Sequence, residues 1–86
     1  MTTWRIEIAE ALQGHGKTWD DVVATTLTDR QLDTKFDAGF GCEEGCHFTL
    51  WTEDHVYFPV CYDGSEWVGS APRNPCDEAM PHQGGG

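Results

Sequence analysis

Basic side chains and long apolar runs are what this sequence has least of. It contains five Lys plus Arg against fifteen Asp plus Glu, which gives a formal net charge of −10 over 86 residues. Because cationic side chains are what binds phosphate groups, this balance disfavours direct contact with nucleic acid or anionic lipid. No apolar run approaches the roughly 20 residues that a membrane-spanning helix needs. We therefore predict a protein whose partners are neither nucleic acids nor membranes.

The N-terminal residues also lack the pattern of a secretory signal. Residues 1–14 contain no basic stretch followed by a continuous apolar core. The expected location is a reducing cytoplasm, where the four cysteines are free thiols or metal ligands rather than disulfides. A mature secreted form, from which a signal had been removed, would reverse this expectation.

The negative charge is concentrated in the C-terminal half. Residues 1–35 carry six acids and four bases, a net charge of −2, whereas residues 36–86 carry nine acids and only Arg73, a net charge of −8. Two interpretations remain open. The acids either keep the protein soluble or form a negative face that meets a basic protein surface.

The N-terminal third has the spacing of amphipathic helices. Trp4, Ile8 and Leu12 form one apolar stripe at helical period. Thr2 or Thr3 can cap this helix, and glycines at 14 and 16 favour its end. Further hydroxyl-x-x-acid or hydroxyl-x-x-Gln patterns begin at residues 18 and 28. The sequence predicts two or three short helices, over about 3–13, 19–26 and 28–33.

The C-terminal half changes to strand composition. β-Branched and aromatic residues dominate three runs, and Asp63-Gly64 between the last two is a strong signal for a hairpin. The prediction is a three-stranded antiparallel meander with strands at about 47–52, 55–62 and 65–70. Pro59 calls for a bulge or an edge stretch in its strand. The whole is one α+β domain over residues 1–76, followed by a flexible tail over 77–86.

Large apolar residues fall on both faces of this meander. We expect one face to pack on the helices, namely that of Val56, Phe58, Val60, Tyr62 and Trp67. Phe48, Leu50, Tyr57 and Val68 then lie on the other. Either a terminal segment wraps the second face or an aromatic patch stays exposed for a protein partner. The predicted protein-binding residues are Trp51, Glu53, Asp54, Tyr57 and Trp67.

The cysteines and histidines raise the alternative of a small structural zinc module. Cys42 and Cys46 have a permitted ligand spacing, and the candidate set is completed by His47 and Cys61. The second half of this set is poor, because Cys61 lies in a predicted strand. The favoured expectation is therefore no metal and no other cofactor. An enzyme is not predicted either, since the chain shows no paired carboxylates and no nucleophile–base pair at an interpretable spacing.

The segment FTLWTEDHVYFPVCYDGSEWVGSAPRNPCDEA, with WDDV and LTDRQLD upstream, resembles small uncharacterised acidic proteins of tailed bacteriophages and prophages. The likeness covers most of the chain, and its most distinctive parts are Val-Tyr-Phe-Pro and Tyr-Asp-Gly-x-Glu-Trp-Val. This resemblance implies an accessory phage protein in the cytoplasm of a bacterial host. It further implies action by binding a host or phage protein, including components of defence systems, and it identifies no catalytic residues.

Overall fold

The computed structural model describes residues 1–37 and 45–83. In this part of the chain, two α-helices and one four-stranded antiparallel sheet form an α+β fold. The strands lie in the order β1-β2-β3-β4, so that sequential strands are neighbours. The elements are α1 (Trp4–Gly14), β1 (Ala24–Thr25), α2 (Asp29–Asp33), β2 (Leu50–Trp51), β3 (His55–Tyr62) and β4 (Ser65–Pro72).

The predicted capping signals explain where the helices begin and end. The Thr3 hydroxyl accepts a hydrogen bond from the Ile6 amide at the start of α1. Gly16 follows the end of this helix with a φ of 70°. Thr28 and Gln31 form both hydrogen bonds of a capping box at the start of α2. Because each signal acts within four residues, the positions where both helices begin could be predicted from the sequence.

The helix predicted over residues 19–26 is wrong. Thr18 does begin a helical turn with a capping box, but this turn is a 3₁₀ segment limited to Trp19–Asp21. The chain then becomes extended and forms β1, which pairs with β2. The run from 22 to 26 consists of Val, Val, Ala, Thr and Thr, and its β-branched residues favour a pleated edge over a helix. The sheet therefore has four strands instead of the predicted three.

The C-terminal hairpin confirms the sequence prediction. Asp63 and Gly64 have φ values of 51° and 84°, as a two-residue turn with positive φ at both positions requires. Tyr62 pairs with Ser65, and the register continues without interruption to His55 and Pro72. β3 has the predicted bounds, while β4 extends two residues beyond its predicted end at 70.

Pro59 is accommodated by the shortness of β2. Hydrogen-bonded and non-hydrogen-bonded pairs alternate along an antiparallel ladder, and Tyr62 and Ser65 flank the turn as a hydrogen-bonded pair. The backbone nitrogen of Pro59 consequently points away from β4, toward the β2 side. β2 pairs only with Val56 and Tyr57 on β3, so its ladder has ended before Pro59. The expected edge stretch is present, and the continuous register leaves no bulge.

The face of the sheet that packs on the helices is the opposite of the one we predicted. The core contains Trp4, Ile8 and Leu12 of α1 together with Leu50 and Tyr57 of the sheet. Val68 packs against this core from β4. The alternation of side chains was assigned correctly, but both faces are apolar, and periodicity alone does not decide which one the helices cover. We call the covered side the inner face and the other the outer face.

Candidate functional site

The outer face presents a diagonal row of apolar side chains across three strands. Register places Trp51 beside Val56, and Val60 beside Trp67, so that both predicted tryptophans share this face. Trp67 is 37% exposed and Tyr62 is 52% exposed. The other members are partly or largely covered. The outer-face row comprises Trp51, Val56, Phe58, Val60, Tyr62 and Trp67.

The C-terminal segment lies against part of this row. A Cβ atom placed on Gly69, the cross-strand neighbour of Phe58, would lie 3.2 Å from Oε1 of Gln83. Glu78 reaches the start of β3, where its Oε1 lies 3.3 Å from Nε2 of His55. Residues 77–83 form no helix or strand, and all are exposed. The flexibility of the tail over 77–86 remains a prediction. Residues 84–86 of this tail lie outside the described residues.

Tyr57, which we predicted to contact a partner, is a core residue. Its side chain is fully buried on the inner face. The phenol oxygen lies 2.7 Å from Nδ1 of His15, and burial raises the pKa of the phenol. The prediction failed because it assigned the inner face of the sheet to the wrong side, and a residue with no exposed surface contacts no partner.

Glu53 and Asp54 form the turn between β2 and β3. Both are exposed, but Asp54 already has partners within the protein. Its carboxylate lies 3.1 Å from Nδ1 of His55 and 3.6 Å from Nζ of Lys17. The hydrogen bond with His55 is the largest of several effects that lower the pKa of Asp54. Asp54 therefore holds the end of the sheet together, and Glu53 is the better candidate for contact with a partner.

A histidine pair beside this turn was missed by the sequence analysis. The rings of His15 and His55 stack with centroids 4.1 Å apart and an interplanar angle of 20°. His15 follows α1 and His55 begins β3, so the pair joins the helix layer to the sheet. His55 has a carboxylate at each ring nitrogen, from Asp54 and Glu78. No local pattern links residues 40 positions apart, and the apposition of the two rings depends on the tertiary fold.

The surroundings of His15 favour the neutral ring. His15 is exposed as a whole, but burial of part of its ring is the largest effect lowering its pKa, followed by the proximity of His55. Glu78 and Asp54 act in the opposite direction, while Lys17 acts in the same direction as His55. In the neutral tautomer that carries its proton on Nε2, Nδ1 of His15 accepts a hydrogen bond from the Tyr57 hydroxyl. Protonation at Nδ1 would remove this acceptor.

We expect His15 to make the protein less stable in mild acid. A group whose pKa is lower in the folded state contributes stability above its unfolded value, about 6.5 for histidine, and this contribution is lost as pH falls through the folded value. Thermal unfolding of wild-type protein and His15→Gln should be compared at pH 7.5 and pH 5.5. Between pH 7.5 and pH 5.5, the Tm of the wild type should fall further than the Tm of the variant. Equal losses in the two proteins would contradict this role.

Of the four residues of the zinc alternative, Cys42 lies outside the described residues. Cys46 and His47 are exposed, and Cys61 is half-buried on the inner face. His47 and Cys61 line a cavity of about 140 Å³ together with Glu66. Within residues 1–37 and 45–83, no group of three or more His, Cys, Asp or Glu residues is arranged to hold a metal ion.

Glu66 is a further residue whose role was not predicted from the sequence. It is 5% exposed although it carries a carboxylate, and it lies on the inner face of β4. Its Oε1 accepts a hydrogen bond of 2.9 Å from the amide of Gly45. Alternation along β4 places Glu66 on the face opposite Trp67. Because periodicity does not decide which of the two faces is buried, the sequence carries no signal for this role. Glu66 attaches the chain near Gly45 to the sheet.

In the described part of the chain, no helix is both long and apolar enough to cross a membrane.

Comparisons with known proteins identify no relative of this chain. No protein-family model matches the sequence, and no curated protein or solved structure is significantly similar to it.

Proposed function

We propose that this chain is a non-catalytic accessory protein of a bacteriophage or prophage. In this proposal it acts in the cytoplasm of a bacterial host, and it binds a host or phage protein through the outer face of its sheet. The observation that carries the proposal is the exposure of Trp67 and Tyr62 on that face. Large aromatic residues at the centre of an interface contribute much of its binding energy, because they bury wide surfaces with few rotatable bonds.

The charge of the C-terminal half indicates the chemistry of the partner. The outer-face row belongs to the half of the chain that carries a net charge of −8. Asp63 lies at one end of the β3–β4 hairpin and Glu53 lies near the other, and both are exposed. An apolar row between acids fits a basic surface with an apolar centre, since complementary potentials speed association and reject acidic partners. The partner class that we propose is a protein with a basic groove, such as a nucleic-acid-binding or defence-system protein.

The proposal predicts that Trp67 dominates the affinity for this partner. Affinity capture from host lysate should be followed by measurement of the dissociation constant for any purified partner. We expect Trp67→Ser to weaken binding at least tenfold, because loss of a central interface tryptophan commonly costs about 2 kcal/mol or more. Raising the salt concentration should also weaken binding, since the charges that attract the partner are exposed.

Ile6→Ser is the matched control for this experiment. Ile6 is 51% exposed on α1, and α1 packs on the inner face, so this substitution changes exposed apolar surface away from the outer face. It should leave the dissociation constant within about twofold, which corresponds to roughly 0.4 kcal/mol. A captured protein that binds wild type, Trp67→Ser and Ile6→Ser equally well would contradict the proposed surface. Capture of nothing at any salt concentration would contradict the proposed function.

A further inference from the structure

β4 is an edge strand whose outer edge is long and regular. The sheet ends at β4 on one side and at β1 on the other. β4 has eight residues, whereas β1 has two. Edge strands expose a row of backbone hydrogen-bonding groups to which another strand can pair. Among the strands of residues 1–37 and 45–83, only β4 therefore offers a long template to an incoming strand.

The register identifies which backbone groups point outward from β4. Tyr62 and Ser65 flank the two-residue turn as a hydrogen-bonded pair, so hydrogen-bonded pairs recur at every second position from there. The bond of 3.0 Å from the Arg73 amide to the Asp54 carbonyl oxygen agrees with this phase. The N–H and C=O groups of Val68 and Ser70 consequently point away from β3. Within residues 1–37 and 45–83, no backbone hydrogen bond from outside the hairpin reaches either residue.

β4 lacks most features by which natural edge strands avoid pairing. Its sequence SEWVGSAP contains no lysine, and its register with β3 has no bulge. The proline is the last residue of the strand, and the single acid is the buried Glu66. Lysines, bulges and central prolines are the usual protection of an exposed edge. Their absence leaves the outward backbone groups of Val68 and Ser70 available for main-chain pairing, while Gln83 of the C-terminal segment lies against Gly69 on the outer face.

We propose that the partner contributes an extended segment rich in lysine or arginine, which pairs with β4 as a fifth strand. This inference rests on the proposed function and specifies how the partner binds. Every second side chain of the added strand would lie on the outer face beside Trp67, so edge and aromatic row form one surface. The basic character follows from the exposed acids Asp63 and Glu53 at the two ends of the hairpin, in a half of the sequence whose net charge is −8. A second copy carries the same negative charge and is disfavoured as the occupant.

The test uses a defined peptide with isotope-labelled protein. Acetyl-(Lys-Val)₄-amide is titrated into the full chain while the amide resonances are followed. We expect shifts at Val68 and Ser70, and at least tenfold slower hydrogen exchange of these two amides at saturation. The same peptide with N-methyl groups on two adjacent central residues cannot pair along either edge, and it should bind at least tenfold more weakly. Acetyl-(Glu-Val)₄-amide should not bind.

A protein variant provides the complementary test. Ser70→Pro removes one outward N–H while sparing the bonds to β3, and Ser70→Ala is its matched control. We expect a tenfold loss of peptide affinity for Ser70→Pro and less than a twofold change for Ser70→Ala. If Ser70→Pro does not fold, the N-methylated peptide decides the question alone.

Three results would overturn the inference. The first is that the lysine peptide does not bind the protein at millimolar concentration. The second is that the N-methylated peptide binds as tightly as the unmethylated one. The third is that the peptide shifts the amide resonances of outer-face residues such as Trp51 and Phe58 only. The last result would leave the proposed function standing, since the peptide would then use the aromatic row without the edge. The proposed function itself fails only if the capture experiment recovers no partner at any salt concentration. The two failures are therefore distinguishable.

Discussion

Replacing Trp4 by alanine is expected to lower the free energy of unfolding by about 4 kcal/mol, the largest effect of any substitution considered for this chain. Trp4 is 1% exposed at the start of α1. Its ring centroid lies 4.6 Å from that of Phe36 and 4.9 Å from that of Phe48. The indole N–H also donates a hydrogen bond of 2.9 Å to the Cys46 carbonyl oxygen. Removal of the ring leaves a cavity and an unpaired carbonyl.

The size of the domain makes this loss decisive. A domain of 86 residues has a free energy of unfolding of roughly 4–13 kcal/mol, at about 0.05–0.15 kcal/mol per residue. A loss of about 4 kcal/mol would unfold the protein at the lower end of this range and leave it marginal elsewhere. Urea denaturation monitored by circular dichroism measures the change. Trp4→Phe should retain more than half of the lost stability, because it keeps an aromatic ring in the site.

Ile6→Ala is the control for the Trp4 experiment. It removes an apolar side chain from the same helix at a position that is 51% exposed. We expect a change within about 0.5 kcal/mol, as for most surface substitutions. If Trp4→Ala and Ile6→Ala destabilised the protein equally, α1 would not pack on the sheet through Trp4, and the fold described above would be incorrect.

Local interactions account for the part of the fold that could be predicted from sequence. The caps at Thr3 and Thr28 and the turn at Asp63-Gly64 each depend on residues within a few positions of one another. Their residue types satisfy backbone groups or adopt positive φ whatever the rest of the chain does. The strand β3 was predicted for the same reason, since it is a continuous β-branched and aromatic run bounded by turns.

Tertiary interactions account for what could not be predicted. β1 has two residues, too few for any periodicity to show. The strand predicted at about 47–52 is present as β2, but it is limited to Leu50–Trp51. The choice of inner face could not be read from a sheet with apolar residues on both sides, and this error misplaced Tyr57. The histidine pair and the buried Glu66 depend on contacts across 40 and 21 positions. Trp51 and Trp67 remain in the candidate surface, because the strand register alone places both side chains on the same face.

Gly45 is the second position where we expect a large effect, because the chain there passes between two buried groups. A Cβ atom at this position would lie 2.5 Å from Cζ2 of Trp4 and 2.9 Å from Oε1 of Glu66. Real Cβ atoms do not approach ring carbons so closely, and both neighbours are held. Trp4 packs in the core, while the buried Glu66 carboxylate accepts a hydrogen bond from the Gly45 N–H. Gly45→Ala should therefore destabilise the protein by about 2–3 kcal/mol through overpacking.

Gly14→Ala separates this steric effect from the general effect of replacing glycine. A Cβ atom at Gly14, the last residue of α1, meets nothing within 4 Å. Alanine restricts the unfolded chain and favours a helix, so Gly14→Ala should leave stability unchanged or raise it by up to about 1 kcal/mol. Urea denaturation of both variants should thus give changes of opposite sign or clearly different size. Equal changes would mean that Gly45 does not approach Trp4 and Glu66 closely in solution. The hydrogen bond that attaches Gly45 to Glu66 on the inner face of β4 would then also be in error.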